Sequence, residues 1–412
     1  MEFFYFDNQL FVGKPSEPKA SSVNLSKWTS NQRTPIYLYD FEQIKRRVQY
    51  FKKVLAFVQS QNIHFAVKSN PNERILKLLS DEGLGADTVS IGEIKRAMKG
   101  GFSANNIIFS GVGKTKTEIE NAIDLKIKQI NIESFSELKR IIKICNEKNT
   151  SIELGIRLNP RVSADTHKSI STGGADNKFG VDLSELEDVK KALKENNKLV
   201  KLKSLSMHIG SNFLKLAELD SAMKILENHL GEFLKEGFEI DRLDLGGGLG
   251  IDYDIYDIQK DESLIAEYAD LLKNLHERHP KIQLMLEPGR ILIARSAILI
   301  TQVQYIKKNG STWFAVVDTG MNHLLRPALY EAHHQIWPLV IRQNEKKAMS
   351  VAGPICESTD ILATDVQLSI YEDDCLAILD CGAYGMSMAS QYNLHDFPLE
   401  YYFENGKISH LA

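Results

Sequence analysis

Side chains able to do chemistry recur where short apolar runs stop. Lys68 follows IHFAV, Asp87 interrupts LGADTV, Glu133 closes QINIE and Arg157 closes IELGIR; His208 sits in SLSMHI, and Glu287 ends QLMLE. A lysine is rarely buried, because stripping water from an ammonium is costly. Set behind an apolar run, Lys68 suggests Schiff-base chemistry, in which burial and nearby charge free the amine to attack a carbonyl. Snorkelling at a strand end is the alternative. The run LDLGGGLG offers the backbone N–H groups of Gly246, Gly247 and Gly248 to a phosphate, or forms a tight turn. It is not a dinucleotide fingerprint, since the third glycine would fall at Ile251, and SGVGKT is no P-loop, since its first glycine would fall at Ile108. EPGR supplies Glu287, Gly289 and Arg290. A carboxylate there can hold a pyridine nitrogen protonated or simply pair with Arg290. His208 can stack on such a ring, and Ser211 can donate to phosphate.

These positions need a scaffold that gathers strand ends. Eight candidate strands, 63–68, 84–89, 106–110, 129–133, 152–157, 204–209, 241–246 and 283–287, alternate with amphipathic helical segments. That count and spacing predict a (β/α)8 barrel, with its active site at the C-terminal ends of the strands. After Arg290 the texture changes to strand-like runs separated by KNG, EDD and ENG turns. FFYFDNQLFV and TPIYLYD near the start are also β in character. The expected organisation is an α/β barrel over 35–294 and a β domain built from both ends, 1–34 and 295–412.

The β region adds reactive residues of its own. DTGMNHLLRPALYEAHH places Arg326 and Tyr330 four apart, on one face if helical; GPICESTDIL joins Cys356 to Glu357, and the glycines of CGAYGMSMASQYN would hold Tyr384 on an exposed turn. Composition limits the partners. The 412 residues carry 50 Lys and Arg against 54 Asp and Glu, a net −4, which gives no electrostatic reason to expect nucleic acid or an anionic membrane. Four irregularly spaced cysteines suit a reducing cytoplasm, no membrane span or signal peptide is visible, and no metal-ligand spacing is present.

Taken in order, FAVKSNPN, GADTVSIGEI, IRLNPRV with THKSISTGGADNKFGVD, HIGSNF, LDLGGGLG, LEPGR, VVDTGMNHLLRPALYEAHH, GPICESTDIL and CGAYGMSMASQYN resemble the fold type III, alanine-racemase-like pyridoxal-phosphate decarboxylases over nearly the whole chain. The resemblance implies that Lys68 carries pyridoxal 5'-phosphate through a Schiff base, His208 stacks on the ring and Glu287 pairs with its nitrogen. Asp87, Arg157, Gly246, Gly289 and Arg290 join the cofactor-binding set, while Ser211, Gly247, Gly248 and Tyr384 hold the phosphate. Arg290, Arg326 and Tyr330 are implied to grip a distal carboxylate, with Glu357 near the distal ammonium, and Cys356 helps protonate the carbanion. Cys356 and Glu357 would complete the site of a neighbouring subunit in a homodimer. The implied reaction converts meso-2,6-diaminopimelate to L-lysine and CO2. Fixed cations suit a second carboxylate, whereas an ornithine or lysine decarboxylase should want acidic groups there. The alternative is a relative acting on ornithine, lysine, arginine or carboxynorspermidine. A catalytically dead, partner-binding relative would typically have lost Lys68 or Cys356. Two departures from the family pattern are His323 after the MN of DTGMN, where aspartate is common, and YNLHDFPLE, where an Arg-Pro-rich stretch is usual.

Overall fold

The computed structural model describes residues 2–160 and 177–411, so the THKSISTGGAD part of the family motif lies outside the described residues. The chain forms two compact units: 48–251 with 259–290, and 1–47 with 252–258 and 291–412.

In the first unit, strands β1 (His64–Ala66), β2 (Gly85–Thr88), β3 (Ile107–Phe109), β4 (Gln129–Ile132), β5 (Ile152–Arg157), β6 (Val200–Ser206), β7 (Arg242–Asp244) and β8 (Gln283–Met285) make one sheet in sequential order. Every pairing is parallel. The remaining gap is bridged where Ile63 meets Leu286; the His64 N–H donates to the Leu286 carbonyl at 2.7 Å, and the Leu286 N–H donates to Asn62 at 3.0 Å. All eight expected strands are present: β5 matches its expected bounds, β6 starts earlier than expected, and the other six have shorter cores. Helices begin soon after several strands because the intervening turns end in good N-caps. Asn72, Ser90, Thr115 and Ser134 each accept a backbone N–H from the first turn of the following helix, and Thr115 with Glu118 forms a full capping box. These caps fix where each strand stops, and so where its terminal side chain points.

Barrel interiors are ordinarily layers of Val, Ile and Leu. This one also buries Gln129, Asn131, Asp87, Thr88, Ser204, Ser206 and Asp244. Gln129 donates to Asn131 at 2.6 Å, and Asn131 donates to Ser110 at 3.1 Å.

The second unit is β-rich and draws on both chain ends. Glu2–Phe6 and Gln9–Gly13 form a hairpin about Asp7 and Asn8, both at positive φ, and Ser22–Asn24 adds a third strand. A separate nine-stranded mixed sheet includes Ile36–Asp40, held between Ala297–Asn309 and Leu399–Glu404. That pairing moves the expected boundary: 35–47 belongs with the C-terminal strands and not with the barrel, as do 252–258 and 291–294. The helix Phe41–Val54 begins in this unit, and its residues from Val48 on belong to the barrel unit. Phe3, Leu10, Leu38, Ile298, Leu379 and Phe403 share one core, so residues from both termini exclude water together.

Candidate active site

The C-terminal ends of the barrel strands bring together the side chains singled out from their spacing. Lys68 lies on a 3-10 turn, Val67–Ser69, directly after β1, and its Nζ is 3.0 Å from Asp87 Oδ2 on β2. The Lys68 side chain is 35% exposed, whereas that of Asp87 is fully buried. This is not a lysine reaching into solvent: its ammonium is tied to a carboxylate at the barrel mouth. Asp87 Oδ1 receives no donor among the described residues.

At the end of β4, Glu133 accepts N–H groups from Gly111 and Gly180, both at 3.0 Å, and the Arg157 guanidinium at 3.1 Å. Arg157 also reaches the His208 carbonyl at 3.4 Å and lies over the Phe179 ring. Arg157 therefore fixes the backbone from which the His208 ring projects.

His208 Nδ1 accepts the Gly247 N–H at 3.2 Å and lies 4.0 Å from Glu287 Oε2. The Glu287 contact is not an ion pair. Burial, reinforced by the Arg157 and Lys68 charges, holds the histidine pKa well below its ordinary value, and an Nδ1 that accepts an N–H carries no proton. The result is a neutral imidazole with its proton on Nε2.

Glu287 follows β8, with its backbone N–H on the Gly246 carbonyl at 2.7 Å. Burial, then Asp244 and Asp87, push its carboxyl pKa well above the usual range, so it holds a proton at neutral pH. The Gly246 N–H is spent on Asp244 at 3.0 Å and that of Gly247 on His208, so two donors expected for phosphate serve the protein itself. The glycines answer to space as well: a Cβ on Gly247 would stand 2.1 Å from the Glu287 carbonyl oxygen. On Gly248, at φ +106°, it would stand 2.2 Å from Phe213. Arg290, paired with Glu287 in the simplest reading of EPGR, instead donates to Ser211 at 3.1 Å. Gly289 packs near Ser69.

The β unit distributes its candidates differently. Arg326 opens the short helix Arg326–Tyr330, so the expected turn of helix is present, but its guanidinium is buried against His334 Nε2 at 2.6 Å and over the Tyr253 ring. Tyr330 is half-buried at the other end. Tyr384 is half-buried at φ +59°, not on an exposed turn, because its flanking segments pack inside this unit. Cys356 and Glu357 are exposed; the Cys356 N–H donates to Asn393 at 3.2 Å and the Tyr392 hydroxyl to Glu357 at 2.6 Å. A cavity of about 990 Å³ in this unit is lined by none of the expected site residues.

Several contributors escaped the sequence reading. Asp244 sits between Leu243 and Leu245, where a charge inside a barrel strand was the available signal. Glu93 accepts the Val89 N–H, and burial first, with Asp87 adding, raises its pKa to about 7. Asp360 accepts from Met321 at 2.6 Å and Ile355 at 2.7 Å, tying the Cys356 loop to the DTGMN loop.

An amine, a neutral imidazole, a proton-bearing carboxyl and a turn with no room for side chains are the fittings that a pyridoxal-phosphate enzyme requires at a barrel mouth. The donor set thus fits the cofactor. Residues 41–294 match the model of the pyridoxal-dependent decarboxylase, pyridoxal binding domain, and the chain belongs to that decarboxylase family. It is 38% identical to diaminopimelate decarboxylase of Aquifex aeolicus over 98% of this chain and 93% of that protein. It is 40% identical to the same enzyme of Helicobacter pylori strain J99 over 93% of this chain and 94% of that one. The crystal structure of Helicobacter pylori diaminopimelate decarboxylase complexed with L-lysine superposes with a TM-score of 0.88 at 39% identity, covering 94% of this chain and 96% of that one.

Proposed function

We propose that this protein is a carboxy-lyase that converts meso-2,6-diaminopimelate to L-lysine and CO2 with pyridoxal 5'-phosphate, the last step of lysine synthesis. The observation that carries the reading is the barrel-mouth set Lys68–Asp87, His208 and Glu287 in a chain whose full-length relatives are diaminopimelate decarboxylases.

When bound, pyridoxal phosphate supplies a carbonyl for an amine and a ring that accepts the electron pair left as CO2 departs. The chain's own residues do the rest. Lys68 presents its amine from a turn fixed by the Ser69 hydroxyl, which donates to the Ala66 carbonyl at 2.7 Å, and Asp87 holds that amine at the mouth. His208 offers the face of an uncharged ring, locked by Gly247 and by the Arg157 hold on its backbone. Glu287 keeps a proton where the pyridine nitrogen is assigned. Gly248, Ser211 and Tyr384 are assigned to the phosphate, and Arg290, Arg326 and Tyr330 to the distal carboxylate, where a guanidinium fork gives bidentate recognition. Cys356 is assigned the proton delivered to the α-carbon.

Cys356 and Glu357 are exposed, with loop contacts that would position them for another molecule. This supports a homodimer in which they serve the neighbouring subunit's site. Four free cysteines, and no helix long and apolar enough to cross a membrane among the described residues, support a cytoplasmic setting. The deciding measurement is CO2 release from meso-diaminopimelate beside ornithine, lysine and arginine. Diaminopimelate should be strongly preferred; preference for a diamine with a single carboxylate would overturn the substrate while leaving the family intact.

A further inference from the structure

Asp244 is as fully buried as Asp87 at the barrel mouth. It ends β7, paired on one side with Ser206 of β6 and on the other with Met285 of β8, and it is fully buried. Its Oδ1 accepts the Gly246 N–H at 3.0 Å. Its carboxyl lies within hydrogen-bonding range of Glu287 and of the Asn131 side chain. Two carboxyls in such contact are not both ionised while no cation lies against them; one proton between them turns a repulsion into a hydrogen bond. The surroundings place that proton on Glu287. Asp244 has the Gly246 N–H to stabilise its anion, and its pKa reaches only about 6, raised by burial first, whereas that of Glu287 is driven far higher. The other charged or titratable groups facing the pair are Asp87 on β2, Lys68 after β1, Lys128 just before β4, Arg157 at the end of β5, His208 after β6, and Tyr268 on the helix Ile258–Arg278.

We propose that Asp244 is a positioning residue for the decarboxylation: its buried negative charge beside Glu287 raises the affinity of Glu287 and the cofactor's ring nitrogen, taken together, for their one proton, so the proton that Glu287 passes to the ring is not lost from the site while CO2 leaves. The transfer breaks the Glu287 O–H bond and forms one N–H bond, with no change of oxidation state. The proposal rests on the functional reading above, but it is read out separately.

Asp244→Asn keeps an oxygen for the Gly246 N–H and removes the charge. Infrared spectra of the full-length chain without cofactor, at pH 7, should show the carbonyl stretch of a neutral carboxyl in the wild type. The part of that band beyond what Glu93 and Asp40 contribute, with pKa values of about 7, should be lost in both Glu287→Gln and Asp244→Asn. In the loaded enzyme, Asp244→Asn should move the alkaline limb of the kcat profile, and the loss of the protonated-ring absorbance, to lower pH by at least about one unit. One unit is a tenfold change in the equilibrium. KM should change less than kcat. An unchanged band together with an unmoved alkaline limb would overturn the proposal, because a merely structural aspartate would lower stability without shifting either. If Asp244→Asn does not fold, wild-type chain labelled with 13C at its aspartate and glutamate carboxyls decides the matter. A buried aspartate should titrate near pH 6 beside a glutamate that stays protonated well above the pH near 7 at which Glu93 titrates, and failure to find that pair overturns the proposal equally. A wild type that takes up no pyridoxal phosphate would instead sink the functional reading, which the cofactor-free spectra do not depend on.

Discussion

The barrel mouth and the β unit both bury charge, but they use it in opposite ways. At the barrel mouth, acids and bases answer one another: Lys68 to Asp87, Arg157 to Glu133, His208 to the Gly247 N–H, and Glu287 to Asp244. The protonation of His208, Glu287 and Asp244 is displaced from ordinary values, the mark of groups kept for proton work. In the β unit the buried charges are committed to structure. Arg295 pairs with Asp380 at 2.8 Å, and His334 donates from Nδ1 to the Leu379 carbonyl while its Nε2 faces Arg326. The reactive groups left over, Cys356 and Glu357, are exposed. Chemistry is thus prepared collectively in one unit and singly in the other, so losses should be large and spectroscopically visible in the first, narrower in the second.

The sharpest break in that contrast would come from Lys68→Ala. Without the amine no Schiff base to the protein can form, so the absorption band of the yellow wild type should vanish, and turnover should fall by more than the roughly 10²–10⁴-fold that a positioned proton-transfer group supplies. Retention of a borohydride-sensitive band would remove Lys68 from the site. Cys356→Ser comes next. A hydroxyl is a poorer acid than a thiol, so kcat should drop by about 10²-fold while the cofactor band stays as in the wild type. A change in the band would mean that the two regions are not separable in this way.

The barrel was legible because its logic is periodic: strand, cap, helix, with the working side chain at each strand's end. Lys68, His208 and Glu287 could be named from that rule alone. Asp244 carried a signal, a charge inside the apolar LDL run, but its pairing could not be read, since Glu287 lies 43 positions away in sequence and a hydrogen bond between two acids leaves no local pattern. The GGG run was legible as a turn, but its donors were misassigned, because only coordinates show that Gly246 and Gly247 give their N–H groups to Asp244 and His208. In the β unit, strands were recognisable by composition. Their order was not, since Ile36–Asp40 pairs with residues more than 250 positions later.

Arg326 tests whether a buried β-unit cation can also read substrate. Arg326→Lys preserves the charge but loses the planar fork. If Arg326 binds the distal carboxylate, KM for meso-diaminopimelate should rise by the equivalent of about 1.5–3 kcal/mol, the range for hydrogen bonds to charged groups. Any residual turnover of ornithine should be unaffected. If its place beside His334 and Tyr253 is its whole role, melting temperature should fall and the substrate ratio should not move.

The smallest effect is expected where the chain departs from the family pattern. His323 and the YNLHDFPLE stretch prove to be neighbours: His323 Nε2 donates to the Asp396 carbonyl at 3.0 Å, and its Nδ1 meets the Thr319 hydroxyl at 3.1 Å. An aspartate at this position would face the Asp396 carbonyl with acceptors only, so the two departures suit each other. Burial foremost lowers the His323 pKa, which keeps the ring neutral in the folded chain. The unfolded histidine takes up a proton near pH 6.5 where the folded one does not. Its contribution to stability is therefore complete above that pH and is lost as pH falls below it. His323→Ala should cost about 1–2 kcal/mol at pH 7.5, the worth of one or two hydrogen bonds. The cost should shrink on acidification, since the variant has no imidazole to protonate. Denaturant melts at several pH values measure this directly. The substrate ratio should be untouched; a shift toward ornithine would show that this tether reads substrate, and that the β unit's buried groups are not purely structural.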